Sequence, residues 1–452
     1  MELPIDFKIE MKNLLKSDFN KFISCYNSPP YRGLRVNTLK VSLEKFKKII
    51  NMQLSPTPFA DNNFYISNEI QKIGTHPLHH AGAFYVQEPS ASFAVTVLDV
   101  KPGEKILDLC ASPGGKSTQI AEKLSGTGLL WANEVIKNRA HTLLSNIERM
   151  GIRNAVVSSC KVDILCHRLS GFFDKVLVDA PCSGEGMFRK NPQAIDEWSK
   201  EHSISCARRQ LEILNCAKFA LKESGELVYS TCTFSSEENE KVICKFLKEN
   251  DDFEISEIKH SCARNADSAY SFAGNNLAFA KRITPIECGE GHFVAKLVKK
   301  SHQKSNVLAY KIKSKEKDLL KAEKLFSNLF SSELYGQLEK INNNFFILPY
   351  EMPDIRNLNV IRAGVLFAEE KKSHIEPHHA VFMAAKENEI NNKINFRQGS
   401  NEIAAFLKGE EIPCNNCQPG YMGITVEGIP IGFGKYSNGK IKNKYPKGLR
   451  NL

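Results

Sequence analysis

The sequence predicts an α/β fold: a Rossmann-like, mostly parallel sheet, preceded by a small N-terminal α+β domain and followed by C-terminal α/β and β domains. Three observations carry this. Residues 82–300 alternate short strand-like and helix-like stretches, the pattern of a parallel sheet covered by helices. A loop of small residues, Cys110–Lys116, separates the first strand-like stretch from a helix-like one, as at ligand-binding strand ends. The last segment, 395–452, is rich in glycine and β-formers (YMGITVEGIPIGFGKY).

In chain order, residues 1–75 read as mixed α/β. Strands are expected at Lys105–Leu109, Leu129–Ala132, Ala155–Ser158, Lys175–Val178, Leu227–Tyr229 and Phe293–Val298. The helices between them are expected at Lys116–Leu124, Asn138–Met150, Ser203–Leu221 and Glu237–Glu249. A basic run over 299–317, with Lys299, Lys300, Lys304, Lys311, Lys313, Lys315 and Lys317, reads as a linker or domain boundary. Four domains are expected: 1–80, 81–302, 303–390 and 391–452.

The 452 residues include 61 Lys+Arg against 51 Asp+Glu, a net charge of +10, which suits a polyanionic partner. The opening MELPIDFKIEMKNLL lacks the pattern of a signal peptide. No apolar run approaches the roughly 18 residues that span a bilayer. A cytoplasmic protein without membrane contact is therefore expected, and its 13 cysteines are read as reduced thiols.

The loop Cys110, Ala111, Ser112, Pro113, Gly114, Gly115, Lys116 is neither a Walker A nor a GxGxxG sequence. Its two glycines let backbone pass close to a bulky ligand. Acids stand at four successive strand ends: Asp108, Glu134, Asp163 and Asp179. Such a cluster is costly unless a ligand takes up its hydrogen bonds. An acid ending the second strand suits ribose hydroxyls, and a nucleoside carrying a cationic sulfonium matches the set. Asp163 alone reads more readily as an ordinary loop aspartate or a helix cap.

Two cysteines stand at strand ends that share a sheet rim. Cys182 follows Asp179-Ala180-Pro181, and Cys232 follows Ser230-Thr231. A free cysteine is commonly an inert core residue, but two at one rim beside a nucleoside site suit thiolate attack. Carbon 5 of cytosine becomes nucleophilic when a thiolate adds to carbon 6. That reaction also needs an acid near N3 and a base for the carbon 5 proton.

CASPGGK, DAPCSGEGMFRK and STCT, with RVNTLK at 35–40 and YVQEPSAS at 85–92, together resemble the Nol/Nop/Sun family of RNA cytosine-5 methyltransferases. The likeness runs in the family's order over roughly 30–300. The RsmF-like bacterial branch, whose members methylate small-subunit (16S) ribosomal RNA, also ends in a PUA-like RNA-binding domain, which GYMGITVEGIPIGFGKYSNGKIKNKYPKGLR resembles. The resemblance implies a class I methyltransferase core that uses S-adenosylmethionine, with RNA, ribosomal RNA or a ribosomal subunit as partner. It implies Cys110 through Lys116 as the cofactor loop, Glu134 at the ribose and Asp163 at the adenine. Asp179 would sit between cofactor and base, Cys232 would attack carbon 6, Cys182 would help release the product, and Lys116 would support the site.

RNA contacts are expected from Lys435, Lys440, Lys442, Lys444, Lys447 and Arg450, interleaved with Tyr436 and Tyr445. Arg32, Arg35, Asn37, Lys40, Arg189 and Lys190 are further candidates. No metal is expected: Cys414-Asn-Asn-Cys417 has no second ligand pair, and His79-His80 and His378-His379 lack a metal-binding context. Cys206 and Cys216 are read as core-facing. The alternatives are a methyltransferase acting on transfer RNA and a non-catalytic ribosome-assembly factor that binds ribosomal RNA. Against DNA stands the lack of a long target-recognition insertion; against a pure binding module stand Cys232, Cys182 and Asp179.

Overall fold

The computed structural model describes residues 2–272, 274–301, 305–415 and 417–451. At its centre is a ten-stranded sheet. Its main strands are β1 (Lys105–Asp108), β2 (Leu129–Asn133), β3 (Ala155–Ser158), β4 (Phe173–Asp179), β5 (Leu221–Thr231), β6 (His292–Lys299) and β7 (Val360–Ala363). They lie in the order β6-β5-β4-β1-β2-β3-β7. Strands β1 to β5 run parallel, and β6 and β7 are antiparallel to β5 and β3. The chain reverses its winding direction between β1 and β4, which opens a crevice at their carboxyl ends.

Helices α1 (Gly115–Leu124), α2 (Lys137–Arg149), α3 (Val162–Arg168), α4 (Lys200–Ala220) and α5 (Glu240–Glu249) cover the sheet. In α2, Ala140, Leu143, Leu144 and Ile147 form one buried stripe, the spacing of a helix with one apolar face. They meet Ile106, Leu130 and Val228 on one side of the sheet, together with Ile120 and Leu124 of α1. Leu107, Trp131, Val176 and Tyr229 point to the other side, against Leu165 of α3, Leu214 of α4 and Phe246 of α5. Each fully buried aliphatic side chain of this kind contributes roughly 1.5–3 kcal/mol.

The N-terminal sheet pairs Gly33–Val36 with Asn63–Tyr65 and with Phe84–Val86. Its apolar side shares one core with Ile403, Phe406 and Ile424 of the last segment, so the two ends of the chain pack together. Gln398 Nε2 donates to Ile49 O at 2.6 Å, and His80 Nδ1 lies 2.9 Å from the Tyr445 hydroxyl. The first helices, Ile5–Leu15 and Phe19–Ser24, instead place Phe7, Met11 and Phe22 against Phe188 and Phe234. These two phenylalanines belong to the loops after β4 and β5, so the N-terminus braces the loops that carry the cysteines.

A four-stranded sheet spans 337–377, and a five-stranded sheet of 393–443 ends the chain, with Lys393–Phe396 parallel to Gly420–Val426. Three features differ from the sequence reading. Val360–Ala363 joins the central sheet rather than its own segment. Lys299 is no linker residue: it ends β6, and its ammonium donates to Lys218 O at 2.9 Å. Helix α5 begins at Glu240 rather than Glu237, because side-chain hydrogen bonds hold the preceding residues as a loop. Lys304 and the expected boundary between 302 and 303 lie outside the described residues.

Eleven cysteines are free, while Cys414 and Cys417 pair as a disulfide; this corrects the reading of all 13 as reduced thiols. Their Cα atoms stand 6.4 Å apart, within bridging distance. Among the described residues no helix is long and apolar enough to cross a membrane, and no cluster of three or more His, Cys, Asp or Glu could hold a metal ion.

Candidate active site

The loop after β1 is built for close approach. Gly114 adopts φ +114°, and a Cβ there would come within 3.2 Å of Leu143 Cδ1. Helix α2 holds the loop: Arg139 donates to Ser112 O at 3.2 Å and Asn146 to Pro113 O at 2.9 Å. Ala111 N donates to Asn133 O at 2.9 Å, tying the loop to the end of β2.

The loop opens on a cavity of about 530 Å3 at the carboxyl ends of β1, β2, β4 and β5. Of the expected residues, Cys110, Ser112, Glu134, Asp179, Cys182 and Cys232 line it. A neighbouring cavity of about 300 Å3 shares Cys110, Ser112 and Asp179 and is also lined by Ala111, Pro113, Gly115, Lys116 and Asp108. Gly114 lines neither and serves the turn. Asp163 does not line the main cavity: it is exposed in the first turn of α3, and its neighbour Val162 takes that place.

Glu134 is 4 % exposed; its Oε1 accepts from Ile136 N at 3.0 Å, and Arg139 lies 3.4 Å from Oε2. The adjoining Val135 and Ile136 also line the cavity, although each is about half exposed. An acid able to accept ribose hydroxyls beside an exposed apolar ledge suits a nucleoside. Two apolar residues after an acidic strand end were the missed signal. Arg139, Arg209 and Ile213 also line the cavity, and sequence reasoning missed them because helix phase alone brings them there.

Asp179 is held at both oxygens. Ser230 Oγ donates to Oδ1 at 2.7 Å and Lys116 Nζ to Oδ2 at 2.8 Å. Burial opposes the charge on Lys116, but the Asp179 carboxylate more than offsets it and holds the ammonium's pKa above its usual value. Asp108 is fully buried, and burial pushes its carboxyl up to about 7, against the pull of a 2.6 Å hydrogen bond from Ser117. Burial likewise raises the Cys110 thiol.

The two rim cysteines meet: Cys182 Sγ lies 3.3 Å from Cys232 Sγ. The hydrogen bond to Cys232, followed by burial, pushes the Cys182 thiol far above its usual range. A thiol that keeps its proton beside a second sulfur can donate to that sulfur's thiolate.

Several expected RNA contacts are instead structural. Arg35 is fully buried; it donates to Gly115 O at 2.6 Å and Thr118 Oγ1 at 2.7 Å, and stands 3.3 Å from Glu122. Asn37, 1 % exposed, donates to Gly82 O and Met150 O. Lys40 donates to Ala81 O at 2.7 Å, and Arg32 to Ile70 O at 2.7 Å. Arg189 pairs with buried Glu290 at 3.1 Å. Tyr445 is 3 % exposed and cannot stack on a base. Lys444 pairs with Glu376. Lys435, Lys442 and Lys447 remain exposed, with Lys435 and Lys442 opposite each other on paired strands.

Comparison with known proteins agrees along the chain. The model for the 16S rRNA methyltransferase RsmB/F family matches residues 95–298. Models for the N-terminal, first C-terminal and PUA domains of 16S rRNA methyltransferase RsmF match 3–89, 324–384 and 393–451. Ribosomal RNA small subunit methyltransferase F of Vibrio vulnificus is 32% identical over 466 residues, covering 99% of this chain and 97% of that protein. The protein of that name from Enterobacter sp. is 31% identical, covering 99% and 95%. Among solved structures, a methyltransferase homolog protein from Pyrococcus horikoshii is 30% identical with a TM-score of 0.57, covering 65% of this chain and 94% of that one. NSun6 from Pyrococcus horikoshii, solved with SFG, shares the fold at 24% identity and a TM-score of 0.56, covering 66% and 98%.

Proposed function

We propose that this chain, which belongs to the RsmB/F family of 16S rRNA methyltransferases, methylates carbon 5 of a cytosine in small-subunit ribosomal RNA through a covalent bond from Cys232 to carbon 6. The observation that carries this reading is the pair of thiols 3.3 Å apart on the rim of the cavity that also holds Asp179 and Glu134.

The cofactor is S-adenosylmethionine, which supplies the methyl as an electrophile on a sulfonium and departs as a neutral thioether. Glu134 would accept from the cofactor's ribose, Val135 and Ile136 would offer it the apolar ledge, and residues of loop 110–116 would line the rest of its cavity. Asp163, exposed in the first turn of α3, is proposed to approach the adenine from the cavity's edge.

The Cys232 thiolate forms a bond to carbon 6, and the electron pair of the C5–C6 double bond makes carbon 5 nucleophilic. Asp179, kept in place by Lys116 and Ser230, stabilises the base at its N3 edge. After methylation the carbon 5 proton leaves, its electron pair restores the double bond, and the C6–sulfur bond breaks to return the thiolate. Solvent at the rim takes that proton, and the Cys182 thiol, 3.3 Å from the Cys232 sulfur, is proposed to donate a hydrogen bond to the departing thiolate and so to aid release. The target base must leave any stack to reach the rim. Residues 391–452, with exposed Lys435, Lys442 and Lys447, are proposed to hold the flanking RNA.

Methylation of 16S ribosomal RNA by the purified protein, followed by bisulfite mapping, tests the reading. A new 5-methylcytosine supports it; methyl transfer to another base or another ring atom overturns it.

A further inference from the structure

Glu238 and Asn239 take no part in the scheme above, yet both are fully buried between β5 and α5. We infer that these two consecutive residues are positioning residues that aim the two thiols separately: Glu238 the release thiol of Cys182, and Asn239 the attacking thiol of Cys232. The inference rests on the roles proposed above for the two cysteines.

The side-chain hydrogen bonds of Glu238 and Asn239 go to different loops. The Glu238 carboxylate accepts from Ser183 N at 3.0 Å, from Ser183 Oγ at 2.5 Å and from Gln210 Nε2 at 2.9 Å. Gln210 Nε2 also lies 2.9 Å from Pro181 O. Both neighbours of Cys182 in the chain are thus fixed through this one carboxylate. Hydrogen bonds to an ionised acceptor are roughly twice as strong as neutral ones. Asn239 makes none of these contacts. Its Oδ1 accepts from Thr231 Oγ1 at 2.7 Å, and its Nδ2 donates to Thr233 O at 3.0 Å, so it brackets Cys232 from both sides. Three further bonds join the two loops: Ser183 Oγ to Thr233 Oγ1 at 2.9 Å, Gly186 N to Cys232 O at 2.9 Å and Phe234 N to Glu185 Oε2 at 2.9 Å.

This arrangement accounts for two thiols from distant loops meeting at 3.3 Å while each must move at a different step. A misplacement of about 1 Å at a reacting group costs on the order of 100-fold in rate. A separate brace for each loop therefore makes attack and release separately sensitive.

The test uses the full-length protein, S-adenosylmethionine and labelled 16S ribosomal RNA. Single-turnover methyl transfer, the amount of denaturant-stable protein–RNA adduct, multiple turnover and the KM for the cofactor are measured. Glu238→Ala should keep single-turnover transfer within about threefold, accumulate adduct and lose turnover at least tenfold. Asn239→Ala should lose single-turnover transfer at least tenfold and accumulate no adduct. The cofactor KM should stay within about twofold in both. Ser183→Ala and Thr231→Val remove single hydroxyls from the same two braces, and should repeat the split at smaller amplitude even where the alanine variants do not fold. Equal loss of attack and release in the paired variants, no change in either, or the reverse split overturns the inference. An adduct in Cys182→Ser without such a split sinks this inference alone; no adduct even in Cys182→Ser sinks the cysteine scheme along with it.

Discussion

Replacing Asp108 with Asn changes one charge at the heart of the sheet, and its effect can be worked from the structure. The carboxyl is fully buried, and burial pushes it from 3.8 to about 7. Between those values the folded protein holds a proton that the unfolded chain has released, so stability falls as pH rises through the window. The full penalty is present above about pH 7. At 1.36 kcal/mol per pH unit that rise in pKa is worth roughly 4 kcal/mol, of which about 3 kcal/mol develops between pH 5 and pH 8. Asparagine keeps an oxygen to accept from Ser117 Oγ, which donates at 2.6 Å, and it does not titrate. Relative to the native protein, Asp108→Asn should therefore gain about 3 kcal/mol between pH 5 and pH 8. Urea unfolding without cofactor, followed by tryptophan fluorescence, measures this. Parallel stability profiles for the two proteins across that range would refute the reasoning.

Other substitutions separate structural from RNA-contacting cations. Arg35→Ala breaks a buried pair with Glu122 and should lower stability by roughly 3–5 kcal/mol, with RNA affinity unchanged in the folded protein; thermal melts and filter binding check this. Lys435→Glu with Lys442→Glu, on exposed positions of paired strands, should leave the melt unchanged. The pair should weaken RNA binding and reduce its logarithmic salt slope by about 1 to 2, measured over a salt series.

The glycine loop was legible because its signals are local: an apolar strand, two glycines and a helix start within Lys105–Leu124. Cys182 and Cys232 were legible as a pair because parallel strands bring their ends to one rim, although only the folded chain gives the 3.3 Å between them. What could not be read depends on partners distant in the chain. Arg35 looks like a solvated cation beside Asn37 and Lys40, but it finds Thr118, 83 residues away, and loses its exposure. Val162 rather than Asp163 lines the main cavity because of the phase of a short helix. Glu238 and Asn239 sit in the string SSEENE, which reads as a charged, solvated turn until Ser183 and Thr231 close over it. Val360–Ala363 joins β3 across some two hundred residues, a pairing that no local pattern announces.

The central claim is the division of labour between two sulfurs. Cys232→Ser and Cys182→Ser proteins, each incubated with labelled 16S ribosomal RNA and S-adenosylmethionine and run on a denaturing gel, test it most directly. A retarded protein–RNA band with the second variant and none with the first is the required result. A band with the first and none with the second, or 5-methylcytosine made by a protein lacking the residue 232 thiol, contradicts it.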